Sequence, residues 1–237
     1  SRRAAAEVLR RFETLLTGGE RRAALAEVAT LAPIEEAAGL RLRAAAVEKR
    51  LCRGRAINLR VPGGGWVRIA PLPTEIGRDP AAGIPLRDPA VSRRHALLRA
   101  EGDMVLLEDA GSRAGVRLGG VRLEPGAALP LRGAGQLTVG TTTTLRFQAD
   151  GARLTFEGAA GLDRGLRALA GVGPVALDGV LPGTDGLTLE IVGDLARLGR
   201  RSDVAVRVDG HLIGPGCDLL HGDLIELPAT GARLEVE

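Results

Sequence analysis

Residues 76–95 read IGRDPAAGIPLRDPAVSRRH, and this stretch decides how the chain is interpreted. It carries two short signals: Gly77–Arg78 at the mouth of a predicted loop, and Ser92–His95 (Ser-Arg-Arg-His) directly before a predicted strand. A third piece follows at residues 107–120, LEDAGSRAGVRLGG, whose glycines predict two turns. Each signal is weak alone, whereas the three in this order are specific.

The sequence around these signals is β-rich. From Ile57 onward, apolar runs are short and alternate with polar residues, and Gly and Pro separate them. Many short strands between turns predict an antiparallel β-sandwich. The predicted strands are Ile57–Val61, Trp66–Ile69, Gly83–Leu86, His95–Ala100, Met104–Leu107, Gly115–Leu118, Gln136–Val139 and Thr142–Phe147.

The combination of Gly-Arg, Ser-x-x-His and the two glycine turns resembles the forkhead-associated (FHA) domain family. The resemblance covers residues 57–148 and implies an eleven-stranded β-sandwich. It also implies that loops at one end of the sandwich bind phosphothreonine on partner proteins.

The chemistry of the matched residues agrees with that implication. A phosphate at neutral pH carries between one and two negative charges and three acceptor oxygens. It is bound best by a guanidinium fork, a hydroxyl donor and backbone N–H groups. We expect Arg78 and Arg93 to supply the guanidinium groups and Ser92 the hydroxyl, with Ser112 and Arg113 at the rim.

Three further residues are expected to shape the site without touching phosphate. The resemblance implies that the ring of His95 holds the loops in place. Gly77 gives its loop room to turn, and Gly115 belongs to the second turn. Arg94 is expected to point away from the pocket, because Arg93 matches the family position better.

One residue departs from the family pattern. Ala114 stands where the family usually has an Asn that grips the peptide backbone beside the phosphothreonine. Loss of one hydrogen bond to a charged or peptide partner costs about 1–3 kcal/mol, which weakens binding by about 5- to 150-fold. Two outcomes therefore stay open: phosphopeptide binding that tolerates Ala114, or a phosphate-independent scaffold that docks partners through other surfaces.

The first 54 residues predict helices. Val8, Leu9, Phe12 and Leu15–Leu16 lie on one helical face, and Gly18–Gly19 ends the pattern. A second helix is predicted over Glu20–Leu31, and a third is predicted to begin near Pro33. We expect these helices to pack on another domain or on a partner.

The C-terminal part predicts a second, degenerate FHA-like sandwich. Residues 172–173, 186–194 and 206–213 can be laid over residues of the first copy, and residues 219–227 resemble the closing motif of the family. Pro174 then stands in place of the site arginine and Leu187 in place of the histidine, so this copy is not expected to bind phosphate. The predicted domains are 1–54 (helical), 55–149 (FHA) and 150–237 (FHA-like), which makes the fold mostly β.

Composition limits the function classes. Aromatic residues make up 2% of the 237 residues, which disfavours base stacking on single-stranded nucleic acid. Residues 1–60 hold 13 Lys and Arg against 7 Asp and Glu, but a solvated helix surface explains this excess better than nucleic-acid binding. No apolar run approaches the roughly 18 residues of a membrane span.

No catalytic constellation is evident. His95 has a structural role, His211 and His221 flank turns, and neither Cys52 nor Cys217 has an activating neighbour in sequence. No metal or cofactor is expected, and two distant cysteines indicate a reducing, cytoplasmic setting. The sequence therefore predicts a non-enzymatic adaptor in Ser/Thr-kinase signalling. Its partner would be a phosphorylated protein or the kinase itself, and the oligomeric state is left open.

Overall fold

The computed structural model describes residues 2–31, 37–61 and 64–237. The chain forms two compact units. Residues 55–175 make the first, here called the continuous unit. Residues 1–54 and 176–237 together make the second, called the split unit. The predicted helix start at Pro33 lies outside the described residues.

The continuous unit is built from strands. They are β1 (Ile57–Val61), β2 (Gly65–Pro71), β3 (Thr74–Gly77), β4 (Ile84–Pro85), β5 (Ala96–Glu101), β6 (Met104–Asp109), β7 (Val116–Leu118), β8 (Val121–Arg122), β9 (Ala128–Leu131), β10 (Gly133–Val139), β11 (Thr143–Asp150), β12 (Arg153–Ala160) and β13 (Arg167–Gly171).

These strands form two sheets. One has the order β4-β3-β5-β6-β9, and the other runs β1-β2-β13-β12-β11-β10-β7-β8 within this unit. Neighbouring strands are antiparallel except for β2 with β13 and β3 with β4, which are parallel. The mostly β fold predicted from the sequence is confirmed, and eleven strands lie in the described part of residues 57–150.

An apolar core lies between the two sheets. Strand β11 buries every second residue, and its core side chains are Leu145, Phe147 and Ala149. Opposite them, Leu98 of β5 and Leu107 of β6 are fully buried. Each buried Leu stabilises the fold by about 1.5–3 kcal/mol, so the alternating pattern fixes which face of each strand turns inward.

The split unit contains three helices at its N-terminal end. They are α1 (Arg2–Gly18), α2 (Arg21–Ala29) and α3 (Ala38–Arg50). Phe12, Ala24, Val28, Leu40 and Ala44 form the buried centre of this bundle. The helix predicted to end at the Gly18–Gly19 pair does so, and Gly19 has a positive φ of 90°.

The rest of the split unit consists of strands near the C-terminus. Strand β14 (Val175–Ala176) lies where the chain passes from one unit to the other. Strands β15 to β21 follow as Leu187–Val192, Leu195–Arg200, Arg207–Val208, His211–Leu212, Gly216–Asp218, Leu224–Leu227 and Ala232–Val236. Their antiparallel pairs are β15 with β16, β16 with β19, β17 with β18 and β20, and β20 with β21.

The helices and the C-terminal strands of the split unit are joined by buried polar contacts. Arg21, 4% exposed, forms a two-pronged ion pair with the carboxylate of Asp223, whose second bond is 3.1 Å long. The backbone N–H of Arg22 donates to Asp218 Oδ2 at 3.1 Å, and that of Asp218 donates to Gly19 O at 3.0 Å. The N-terminal helices therefore belong structurally with the end of the chain.

Within the described residues, none of the helices combines the length and the apolar character that crossing a membrane requires.

Candidate functional site

Gly77, at the end of β3, lets two loops approach each other closely. The N–H of Arg78 donates to Ser92 O at 2.9 Å, and the N–H of Asp79 donates to Arg93 O at 3.2 Å. A Cβ atom on Gly77 would lie 2.0 Å from Arg93 O, far inside contact distance. Only glycine therefore allows the β3–β4 loop to bond to the Ser-Arg-Arg-His segment.

His95 is fully buried and connects three segments of the chain. Its Nδ1 accepts a hydrogen bond from the Ser92 N–H at 2.9 Å. Because Nδ1 accepts, the proton of the neutral ring lies on Nε2, which donates to Gly115 O at 3.0 Å. The N–H of Gly140 lies 3.2 Å from the same Nε2. Because this nitrogen carries the ring proton in this tautomer, it cannot accept a hydrogen bond from Gly140.

The second turn is organised by Asp109 and Ser112. Asp109 Oδ1 accepts from the Ser112 N–H at 2.7 Å, and the Ser112 hydroxyl accepts from the Gly115 N–H at 2.9 Å while donating to Asp109 Oδ2 at 3.2 Å. Gly115 has a positive φ of 82°. The predicted rim residue Ser112 thus has its hydroxyl fully engaged inside the turn.

Ser92 connects this turn to the Ser-Arg-Arg-His segment. Its Oγ accepts a hydrogen bond from the Arg113 N–H at 3.2 Å. Accepting leaves the hydroxyl proton of Ser92 available for an external acceptor. The β3–β4 loop, the segment before β5 and the β6–β7 turn are therefore linked by hydrogen bonds at one edge of the sandwich.

The arginines at this edge differ in how they are held. The side chain of Arg78 is exposed, and its Nε donates to Val91 O at 3.2 Å. The two terminal nitrogens of its guanidinium group take no part in that bond. Arg93 and Arg113 are also exposed, and in the described structure neither guanidinium group has a hydrogen-bond or ion-pair partner. Arg94 instead pairs with Glu75 at 2.7 Å.

The buried carboxylate of Asp88 stabilises the loops of the site through hydrogen bonds, and this role was not predicted from the sequence. Asp88 is 3% exposed, and its carboxylate accepts from the Ala90 N–H at 2.8 Å and from the hydroxyls of Thr142 at 2.5 Å and Thr143 at 3.1 Å. The Thr142 bond is the main reason that the pKa of Asp88 lies below its usual value, and the bonds from Ala90 and Thr143 act in the same direction.

The signal for Asp88 and Asp109 is local. Each Asp begins a turn in which its side chain accepts from a backbone N–H two or three residues later, at Ala90 and Ser112 respectively. Asp-Pro and Asp-Ala-Gly sequences are typical of such turns. Nothing local indicates the bonds from Thr142 and Thr143, because these residues are distant in sequence.

Ala114 lies in the β6–β7 turn between Arg113 and Gly115, and its side chain is partly exposed. A methyl group there offers neither a donor nor an acceptor to a bound peptide. The described residues contain no cluster of three or more His, Cys, Asp or Glu side chains placed to bind a metal ion.

Residues 74–140 match the family model described as the FHA domain. The resemblance to the FHA domain family that the sequence predicted is therefore confirmed for this segment. The match includes Arg78, Ser92, Arg93 and the second turn. No curated protein matches the sequence.

Several solved structures are similar to part of the chain. The FHA domain of the CT664 protein from Chlamydia trachomatis is 29% identical, covering 41% of this chain and 99% of that one, with a TM-score of 0.32. The first FHA domain of Rv1747 from Mycobacterium tuberculosis is 26% identical, covering 44% of this chain and 95% of that one, with a TM-score of 0.29.

Proposed function

We propose that this chain is a protein-interaction adaptor whose FHA domain binds phosphothreonine-containing segments of partner proteins. The partners would be substrates of a Ser/Thr kinase, or the kinase itself, in the cytoplasm. The chain would act by binding and would catalyse no reaction, since an interaction module needs no nucleophile or general base.

One observation carries this proposal. Three loops are hydrogen-bonded together at one edge of the sandwich, and they expose guanidinium groups and the Ser92 hydroxyl. The bonds are those from Arg78 N–H to Ser92 O and from Arg113 N–H to Ser92 Oγ. Because these bonds already order the loop backbones, binding does not have to order the loops that carry the cationic donors.

The individual residues have separate roles in the proposed site. Arg78 would face the phosphate with its two terminal nitrogens, because its Nε is occupied by Val91 O. Ser92 would donate its hydroxyl proton to a phosphate oxygen, and Arg93 would add a second positive charge. Arg113 would line the rim. Gly77, His95, Gly115 and Ser112 would hold the loops in position.

The experiment that tests the proposal compares Arg78→Ala with Arg94→Ala. Both variants lose one exposed arginine, but Arg94 is paired with Glu75 and lies outside the proposed site. A degenerate phosphothreonine peptide library is titrated against each protein and against its unphosphorylated counterpart. We expect Arg78→Ala to weaken binding by about ten- to a hundredfold, the value of one or two charge-assisted hydrogen bonds, and Arg94→Ala to leave binding unchanged.

Equal binding of the two variants, or binding that ignores the phosphate, would refute the proposal. The second candidate function would then apply, namely a scaffold that docks partners without phosphate. The observation in its favour is Ala114, since the turn lacks the side chain expected to hold the peptide backbone.

We also propose that the C-terminal strands form a second FHA-like copy without a phosphate site. The pairing of β15 to β21 repeats that of β5 to β11, strand for strand. The hairpins Leu118↔Val121 and Val208↔His211 enclose equivalent two-residue turns of positive φ.

The register within the proposed copy corrects one detail of the sequence alignment. The N–H of Ala110 donates to His95 O, and the N–H of Arg201 donates to Gly186 O in the corresponding place. Gly186 and not Leu187 therefore takes the position of the histidine. With this register, residues 186–194 correspond to residues 95–103 without a gap.

A further inference from the structure

A cavity of about 610 Å³ lies in the continuous unit beside Arg78. We call it the Trp66 pocket. Its volume is within the roughly 300–1,000 Å³ of small-ligand sites, so it has room for more than one side chain. Its lining residues are Trp66, Arg78, Pro80, Pro85, Leu86, Arg87, Asp163, Arg164, Gly165 and Leu166.

The pocket is built partly from residues outside the segment that matches the FHA model. Trp66 precedes residues 74–140, and residues 163–166, in the β12–β13 loop, follow them. The β12–β13 loop is fixed there, because Asp163 Oδ1 accepts from the Arg87 N–H at 2.8 Å, and the Thr143 hydroxyl shares its one proton between Asp88 Oδ2, at 3.1 Å, and Asp163 Oδ2, at 3.3 Å. The pocket therefore depends on residues of this chain that lie outside the matched segment as well as on residues within it.

The wall of the pocket is apolar. Leu86 and Leu166 are largely buried, and two prolines complete the surface. The indole of Trp66 is 40% exposed, which is unusual for the largest apolar side chain in a protein. Such a surface can bury an aliphatic or aromatic side chain of a ligand.

The charge of the pocket is positive. Arg78, Arg87 and Arg164 surround it, and all three are exposed. The single carboxylate, Asp163, is 3% exposed and is held by the hydrogen bonds just described. Arg87 lies 3.6 Å from that carboxylate, whereas the guanidinium group of Arg164 has no ion-pair or hydrogen-bond partner in the described structure. Arg164 is therefore the group that is free to bind a carboxylate.

We propose that the Trp66 pocket binds the part of the partner peptide that flanks its phosphothreonine, and that it selects an acidic residue next to an apolar one. Arg164 pairs with the Asp or Glu carboxylate, and the apolar side chain packs on Trp66 and Leu166. Arg78 lines both the Trp66 pocket and the proposed phosphate site, so one extended peptide reaches the pocket and the phosphate site together. This inference rests on the proposed function and specifies the sequence context that the same site recognises.

The test uses the intact chain and a phosphothreonine peptide library in which each flanking position is randomised in turn. The wild type is compared with Arg164→Gln and with Arg146→Gln, which removes the same charge from an exposed position of β11 outside the pocket. Trp66 is the only tryptophan and the chain has no tyrosine, so its emission reports directly on occupation of the pocket.

We expect the wild type to select Asp or Glu at one flanking position and to change its Trp66 emission on binding. Arg164→Gln should lose that selection and bind the selected peptide about two- to fivefold more weakly, the value of one exposed ion pair. Arg146→Gln should match the wild type. Dependence on the phosphate should persist in Arg164→Gln and be lost in Arg78→Ala.

Identical selection by the wild type and Arg164→Gln would overturn the inference and leave the proposed function intact. If no phosphopeptide binds, the proposed function fails, and the same library without phosphate then tests the pocket alone. A Trp66 emission that no acidic peptide changes would overturn the inference in that case. A response that Arg164→Gln abolishes would support it.

Discussion

Replacement of Asp88 by alanine tests how the loops of the proposed phosphate-binding site are held in place. Asp88 is nearly inaccessible and connects the segment before Ser92 to the turn that precedes β11. The substitution removes three hydrogen bonds to a charged acceptor. Thr142 is exposed and can bond to water, whereas Thr143 is fully buried and the Ala90 N–H is partly buried.

The expected cost follows from the two shielded bonds. A hydrogen bond to a charged group contributes about 1.5–3 kcal/mol, so Asp88→Ala should lower the free energy of unfolding by about 3–6 kcal/mol. This is a large part of the roughly 5–15 kcal/mol that holds a typical domain together. We also expect weaker phosphopeptide binding, because Ser92 and Arg93 lose their support.

The assay is urea unfolding of the continuous unit followed by Trp66 emission, with Asp103→Ala as the matched control. Asp103 lies in the exposed turn between β5 and β6, and its loss should change the free energy of unfolding by less than about 0.5 kcal/mol. If Asp88→Ala were no more destabilising than Asp103→Ala, the structural role assigned to Asp88 would be wrong.

Titration of the Asp88 carboxyl group predicts that stability depends on pH with a definite sign. The pKa of Asp88 in the folded protein is lowered, chiefly by the Thr142 hydroxyl. Its contribution to stability is therefore complete above the unfolded pKa of about 3.9 and is lost as the pH falls through the lower folded value. Asp88→Asn should make the free energy of unfolding less dependent on pH in that acidic range, and an unchanged dependence would contradict the pKa assignment.

Three other substitutions give further tests. Gly77→Ala should destabilise the continuous unit by about 2–4 kcal/mol in the same urea assay, because its Cβ overlaps Arg93 O; a loss below about 0.5 kcal/mol would show that the two loops separate freely. Ala114→Asn should tighten phosphopeptide binding by about tenfold in a direct titration, and unchanged affinity would mean that this turn does not contact the peptide. Arg21→Leu should cost the split unit about 3–5 kcal/mol by circular dichroism, and addition of Asp223→Leu should recover part of that loss, since the cost comes from the unpaired buried charge.

The strands with clear alternation could be predicted from the sequence. Strand β1 has the predicted bounds, and β5 and β6 differ from the prediction by one or two residues. In β1 and β5 one face enters the core, so buried and less buried residues alternate, whereas β6 is a short apolar run that buries Val105–Leu107 in succession.

Among the strands that were not predicted individually, β3 and β9 lack that signal. Strand β3 has four residues and ends at Gly77, so its sequence resembles the entry to a loop. Strand β9 contains Pro130, which normally argues against a strand. It lies at the edge of the five-stranded sheet, where the N–H that proline lacks is not required.

Much of the candidate site could be inferred from the motif, but its support could not. Arg78, Ser92 and His95 are close in sequence and were singled out together. Asp88 receives its hydrogen bonds from Thr142 and Thr143, more than 50 residues later. Contacts of that range depend on sheet topology, which no local pattern encodes.

The split unit has a consequence for synthesis of the chain. Arg21 and Asp223 are separated by 202 positions, so α2 emerges from the ribosome long before its buried partner exists. Residues 55–175 are synthesised before Asp223, so the continuous unit can fold before the helices find their partner strands. In the nascent chain, the apolar side chains of Leu25, Val47 and Leu51 therefore stay uncovered until Leu195 and Leu220 have been made.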